Sequence, residues 1–97
     1  MSRNSYLFAY DISDKTRLRR IYRKAMGFGD PIQLSIFFCD LTKSEFLIFQ
    51  DEIRKIVNSV EDSVIFINMG PSQHNNSKKI ISIGRSPDFG SSSALII

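Results

Sequence analysis

Apolar positions along this chain change period from segment to segment, and each change marks an element. Residues 6–12 form an aromatic-rich β-type run. The spacing then lengthens, and Leu18, Ile21, Tyr22, Ala25 and Met26 recur as one helical stripe. Ser13 reads as the N-cap of that helix, with Asp14 in the first turn, where a negative charge suits the helix dipole. Gly27 and Gly29 read as its stop, since glycine takes a left-handed cap at little cost. Pro31 opens a second β run over residues 32–39. Thr42 and Glu45 have capping-box spacing, with Leu41 and Phe46 as the hydrophobic staple. Phe46, Phe49, Ile53, Ile56, Val57 and Val60 make the apolar face of a second helix. Residues 63–69 are almost wholly apolar and read as a central strand, residues 70–77 as a polar loop, and residues 80–83 as a short last strand. Pro87, Gly90 and the serines around them argue against regular structure from residue 86 onward. The pattern predicts one domain over residues 1–85 and a tail over 86–97.

This order predicts an α+β sandwich with two helices on one face of a sheet, a ferredoxin-like βαββαβ arrangement with an extra C-terminal strand. That arrangement needs a hairpin between its helices, yet residues 32–39 contain no turn residue. Either the run bends within itself, near Ser35, or the sheet is short of a strand. The last strand can fill an edge in its own sheet or in a partner's, and pairing it across a two-fold axis would make a homodimer and remove an exposed edge.

Composition narrows the class. The 97 residues suit one small domain, and a hydrophobic content of 42% with eight Phe and three Tyr suffices for one core. The lone Cys39 excludes an intrachain disulfide. No apolar stretch approaches the roughly 20 residues that cross a bilayer, and residues 1–5 lack the apolar segment of a signal peptide. The expectation is a soluble cytoplasmic protein without membrane association.

Charge changes the picture more by its placement than by its net value of +3. The first strand ends in Tyr10 and Asp11, and six of thirteen Lys and Arg residues follow between Lys15 and Lys24. Arg20, Arg23 and Lys24 fall opposite the apolar stripe, with Arg17 and Arg19 flanking it, and no acid lies between them. Such a face attracts a phosphate backbone, although a solvated basic face is common. Lys78 and Lys79, with Arg85, form a second and weaker patch. Asp11 has two readings as well. An Asp between strand and helix often satisfies backbone donors through a turn or cap; as a ligand of Mg²⁺ it would need further oxygens, which a second copy of Asp11 across a two-fold axis could supply.

Residues 10–14 (Tyr-Asp-Ile-Ser-Asp), the Arg-rich helix start, residues 32–37 and residues 61–64 resemble, in order and spacing, the CRISPR-associated Cas-two family over roughly residues 6–85. The resemblance implies a ferredoxin-like homodimer that takes part in spacer acquisition, bridging dimers of the Cas-one integrase and holding DNA. It also implies a metal-dependent endonuclease acting on RNA or duplex DNA, with Mg²⁺ or Mn²⁺ on Asp11, Tyr10 beside it as a catalytic partner, and Phe37 as the motif phenylalanine. Two positions depart from the family's pattern: Pro31 stands where Arg is frequent, and Phe38 where an acid is frequent. Both bear on nuclease activity more than on architecture.

The remaining candidates have plain readings. His74 belongs to a polar loop, Cys39 to the packing of a strand end, and Ser35 to a bend or a phosphate contact. The apolar end, residues 94–97, can dock on its own core, on a second subunit or on the integrase. Three functions follow, in order: a dimeric DNA-binding adaptor, a metal-dependent phosphodiesterase built on an Asp11 pair, and a ligand-binding regulatory domain, since this fold hosts many functions.

Overall fold

A computed structural model describes residues 2–85; the expected tail, 86–97, lies outside the described residues. The chain runs β1 (Asn4–Asp11), α1 (Lys15–Met26), β2 (Gly29–Gln33), β3 (Ile36–Leu41), α2 (Lys43–Arg54) and β4 (Ser63–Pro71), followed by two 3-10 turns, Ser72–His74 and Asn76–Lys79. The strands form one antiparallel sheet in the order β2-β3-β1-β4. This is the α+β, ferredoxin-like arrangement expected from the sequence.

Alternation along the strands builds the core. Tyr6, Phe8 and Tyr10 of β1 point to the same face as Phe37, Cys39 and Leu41 of β3 and pack with Ile21 and Ala25 of α1 and Phe49 and Ile53 of α2. Phe8 is the hub: its ring lies 4.8 Å from Phe66, 5.0 Å from Phe49 and 5.3 Å from Tyr10. Phe28 stacks on Phe49 at 4.5 Å, and Tyr6 on Phe46 at 4.0 Å. Each such aromatic, removed from water, contributes about 1.5–3 kcal/mol before entropy is counted. The opposite face stays open. Leu7, Ala9 and Ile36 are half-buried there, and Ile65 and Ile67 remain about half exposed.

The helix starts differ in how they are capped. For α2 the capping box forms as expected, Thr42 accepting from the Glu45 N–H and Glu45 from the Thr42 N–H. For α1 the cap is Asp14 rather than Ser13, its Oδ2 accepting from the Arg17 N–H at 2.9 Å. Gly27 ends α1 in the right-handed region, φ −79°, not as a left-handed cap. The need for glycine lies at Gly29, where a Cβ would meet Cys39 Sγ at 2.5 Å and the Phe38 carbonyl oxygen at 2.6 Å. Val60 falls beyond α2 and is exposed.

The run over residues 32–39 does bend within itself. β2 and β3 form a hairpin whose tip is Leu34 and Ser35, with Gln33 opposite Ile36. Neither tip residue takes a positive φ, so the turn lacks the Gly and Asn signals of the common hairpin types. Tyr10 holds it instead: its N–H donates to the Ser35 carbonyl at 3.1 Å and its hydroxyl to the Leu34 carbonyl at 3.0 Å. Pro31 is accommodated because β2 is an edge strand with an irregular register just after it.

Two expectations about strands change. β4 is an edge strand, not a central one; its apolar run reads as central because Ile65 and Ile67 sit on the open face while Val64 and Phe66 face the core. Residues 80–83 pair with no strand among the described residues, and Ile81 and Ile83 are 88% and 96% exposed. Between them the second 3-10 turn folds back on β4: the Asn76 amide donates to the Gly70 and Pro71 carbonyls at 3.1 and 2.8 Å, and Lys79 Nζ to the Met69 carbonyl at 3.0 Å.

Candidate nucleic-acid interface

β1 ends at Asp11, opposite Ser63, where the chain must leave the sheet for α1. Ile12 turns into the core and Asp14 caps the helix, which leaves Asp11 exposed. The backbone donors of this junction go to other acids. Asp62, whose side chain is fully enclosed, accepts from the N–H groups of Asn58 at 2.9 Å and Ser13 at 3.4 Å and from Arg17 Nε at 2.7 Å. The Arg17 hydrogen bond, ahead of the backbone donors, holds the Asp62 carboxyl down at about 2. Among the described residues, Asp11 has no hydrogen-bond or ion-pair partner, so the cap-or-turn reading of Asp11 is met by Asp14 and Asp62 instead.

Tyr10, beside it, is buried, and its hydroxyl is engaged with the hairpin tip. Burial, with Tyr22 nearby, raises its pKa, so it stays protonated at neutral pH. Phe37 is fully buried and packs on Tyr10 and Tyr22. Cys39 is also buried, and burial followed by the charge of Asp30 pushes its thiol up to about 12, which makes it inert.

Among the described residues no three His, Cys, Asp or Glu side chains gather as a metal site. Among the described residues Asp11 is the one carboxylate of this junction whose side chain has no hydrogen-bond or ion-pair partner, and Mg²⁺ or Mn²⁺ requires several oxygens. The described residues of a single chain therefore do not make up such a site.

The basic helix resolves into two sets. Arg17 is compensated from outside α1, by Asp62 and by Glu61 at 2.8 Å, and Lys24 by Glu52 at 2.9 Å. Arg19, Arg20 and Arg23 are exposed and, among the described residues, have no ion-pair partner. Arg23 borders two grooves. One, of about 520 Å³, runs between the helices past Arg20, Lys24 and Lys55. The other, of about 740 Å³, lies between α1 and the hairpin tip, with Leu18, Tyr22 and Leu34 as walls, Arg19 and Arg23 along it, and Asp11 at its edge. The sequence reading missed this second groove, because Leu34 comes beside α1 only through the fold of the hairpin. Lys78 and Lys79 are brought to the other end of the sheet: β4 begins opposite Asp11 and ends opposite Asn4, just before them.

A protein-family model described as CRISPR associated protein Cas2 matches residues 4–77. A Geobacter sulfurreducens protein named CRISPR-associated endoribonuclease Cas2 is 37% identical over 83 residues, 86% of this chain and 86% of its own length. A Thermodesulfovibrio yellowstonii protein of the same kind is 40% identical over 84 residues, covering 86% of this chain and 89% of the relative. Among solved structures, Streptococcus pyogenes Cas2 matches with a TM-score of 0.74 at 25% identity, covering 82% of this chain and 99% of that one. A hypothetical protein from Thermus thermophilus matches with a TM-score of 0.75 at 23% identity, covering 89% and 96%, which is a likeness of fold. No helix among the described residues is long and apolar enough to cross a membrane.

Proposed function

The chain belongs to the CRISPR-associated Cas2 family, and from that membership we propose that it is a spacer-acquisition subunit: a homodimeric, nucleic-acid-binding adaptor that bridges dimers of the Cas-one integrase. The observation that carries this reading is the row of uncompensated guanidinium groups on α1. Arg19, Arg20 and Arg23 are free to meet phosphate, whereas Arg17 and Lys24 are already spent on acids of the same chain. Binding of this kind is read out by charge rather than by base sequence. The dimer is supported by the open sheet face and by residues 80–83, whose exposed Ile81 and Ile83 have no strand to pair with among the described residues.

The test is co-purification with the integrase encoded beside it, in the presence of splayed duplex DNA, alongside a variant carrying Arg19→Ala, Arg20→Ala and Arg23→Ala. The wild type should form a ternary complex. The triple variant should remain dimeric, lose affinity for DNA and show a salt slope smaller by roughly 2–3. An unchanged affinity and slope would mean that α1 is only a solvated face.

A second reading is favoured by one observation, the exposed Asp11 carboxylate with no side-chain partner among the described residues. It is a metal-dependent endonuclease on RNA or double-stranded DNA, with Mg²⁺ or Mn²⁺ held between two copies of Asp11 at the dimer axis. On this reading Asp11→Asn abolishes metal-dependent cleavage and leaves the dimer and the basic helix intact. Cleavage that persists in the purified variant assigns the activity elsewhere.

A further inference from the structure

We propose that the cavity at the far end of the sheet from Asp11, between the start of β1 and the first turns of α2, binds a free apolar α-amino acid; the inference goes beyond the nucleic-acid reading and does not depend on it. The cavity's volume of about 350 Å³ lies within the ~300–1,000 Å³ of small-molecule sites. Leu41, Phe46 and Leu47 form its apolar wall, and Leu47 is left 52% exposed. Lys43, also lining it, is exposed and has no ion-pair partner among the described residues. Among those residues no carboxylate lines the cavity.

Tyr6 carries the argument. It lines the cavity and is only 4% exposed, with its ring stacked on Phe46 at 4.0 Å. Yet among the described residues its hydroxyl has no hydrogen-bond partner. Tyr10, two positions along the same face of β1, spends its hydroxyl on the Leu34 carbonyl; Tyr6 has no such duty. A hydroxyl enclosed this far is costly unless something occupies the space beside it. Burial also raises its pKa, so it keeps its proton at neutral pH and can donate.

Two amides define the rest of the occupant. Asn68, the register partner of Tyr6, receives the Gly70 N–H on its Oδ1 at 2.8 Å. A backbone N–H can only donate, so that amide's orientation is fixed and its NH₂ is left to donate. The Asn4 amide donates to the same Oδ1 at 3.1 Å, which leaves the Asn4 Oδ1 as a free acceptor. Lys43, Tyr6 and Asn68 thus offer donors to a carboxylate, Asn4 offers an acceptor to an ammonium, and the apolar wall takes a side chain. A free α-amino acid carries all three groups on one carbon. A fatty acid or a phosphate dianion has nothing to give the Asn4 oxygen.

The experiment is an NMR titration of the full chain with L-phenylalanine, with 3-phenylpropionate, which lacks the ammonium, and with phenethylamine, which lacks the carboxylate. L-Phenylalanine should shift the Asn4 and Asn68 side-chain amides saturably, with a Kd of about 0.1–1 mM. Each truncated probe should bind about tenfold more weakly. Tyr6→Phe should weaken L-phenylalanine about fivefold and leave Tm unchanged, since the hydroxyl has no partner within the fold. Lys43→Gln should weaken L-phenylalanine and 3-phenylpropionate but not phenethylamine. No saturable shift at these amides up to about 10 mM would overturn the proposal. So would equal binding of the three probes, or affinity that Tyr6→Phe does not alter. Shifts of the same amides on dilution of the ligand-free chain would mean that a second copy covers the cavity, and would also overturn it.

Discussion

The two faces of the sheet are built from the same strands and nearly the same residue types, yet they do different work. The inner face closes on Phe8, Phe37 and Phe49, all fully buried, under two helices. The outer face carries Leu7 and Ile36, which are half-buried, and Ile65 and Ile67, which are about half exposed. Apolar alternation on one side of a strand specifies a core; apolarity on both sides of an edge strand such as β4 specifies a core and a further contact. The inner face belongs to folding, and the outer one is the face that the proposed dimer would cover.

The largest expected effect is on the inner side. Phe8→Ala removes the ring that Tyr10, Phe49 and Phe66 all touch, and should cost about 3–5 kcal/mol in denaturant unfolding. Gly29→Ala comes next, since its Cβ would lie 2.5 Å from Cys39 Sγ and 2.6 Å from the Phe38 carbonyl. A loss of about 1–3 kcal/mol is expected, and a neutral result would show that β2 can move away from β3.

Smaller again is the pH response of the clamp that fixes α1 over the inner face. The folded-state pKa of Asp62, about 2, lies below its ordinary 3.8. Its stabilising effect is therefore complete above about pH 4 and is lost as the pH falls towards 2. Thermal melts should show a drop of Tm in that window which Asp62→Asn flattens. A variant with the same acid profile as the wild type would remove Asp62 as the cause.

The smallest effect on folding belongs to the outer face. Ile65→Ser with Ile67→Ser should change the stability of the dilute monomer by no more than about 1 kcal/mol, while shifting sedimentation from dimer to monomer. If the double variant unfolds as readily as Phe8→Ala, the two faces are not separable. If it stays fully dimeric, the outer face is not the contact.

How much of this was legible in the sequence depends on how far apart the interacting residues lie. Both helices and the capping box are local patterns and were legible, although the apolar face of the second helix was carried on to Val60, beyond the end of α2 at Arg54. The hairpin tip was legible only as one of two alternatives, a bend near Ser35, because Leu34 and Ser35 carry no glycine or asparagine signal; what closes it is Tyr10, a residue of another strand. The apparent run of uncompensated charge on α1 was misleading for Arg17 and Lys24, because their partners lie 45 and 28 positions away. Asp11 was legible as an acid at a strand end. That it would be left without a partner was not, since this depends on Asp62 arriving from beyond α2 to take the Ser13 and Arg17 donors.

The bond from Tyr10 to the hairpin tip also bears on how freely this surface can diversify. Tyr10 holds the tip through main-chain carbonyls only, so no particular side chain is required at positions 34 and 35 to keep the turn in place. Substitution there can reshape the wall beside α1 without refolding the hairpin. The strand that holds the tip and the side chains that the tip displays are thus independently variable: drift at positions 34 and 35 would reshape this surface long before it altered the fold.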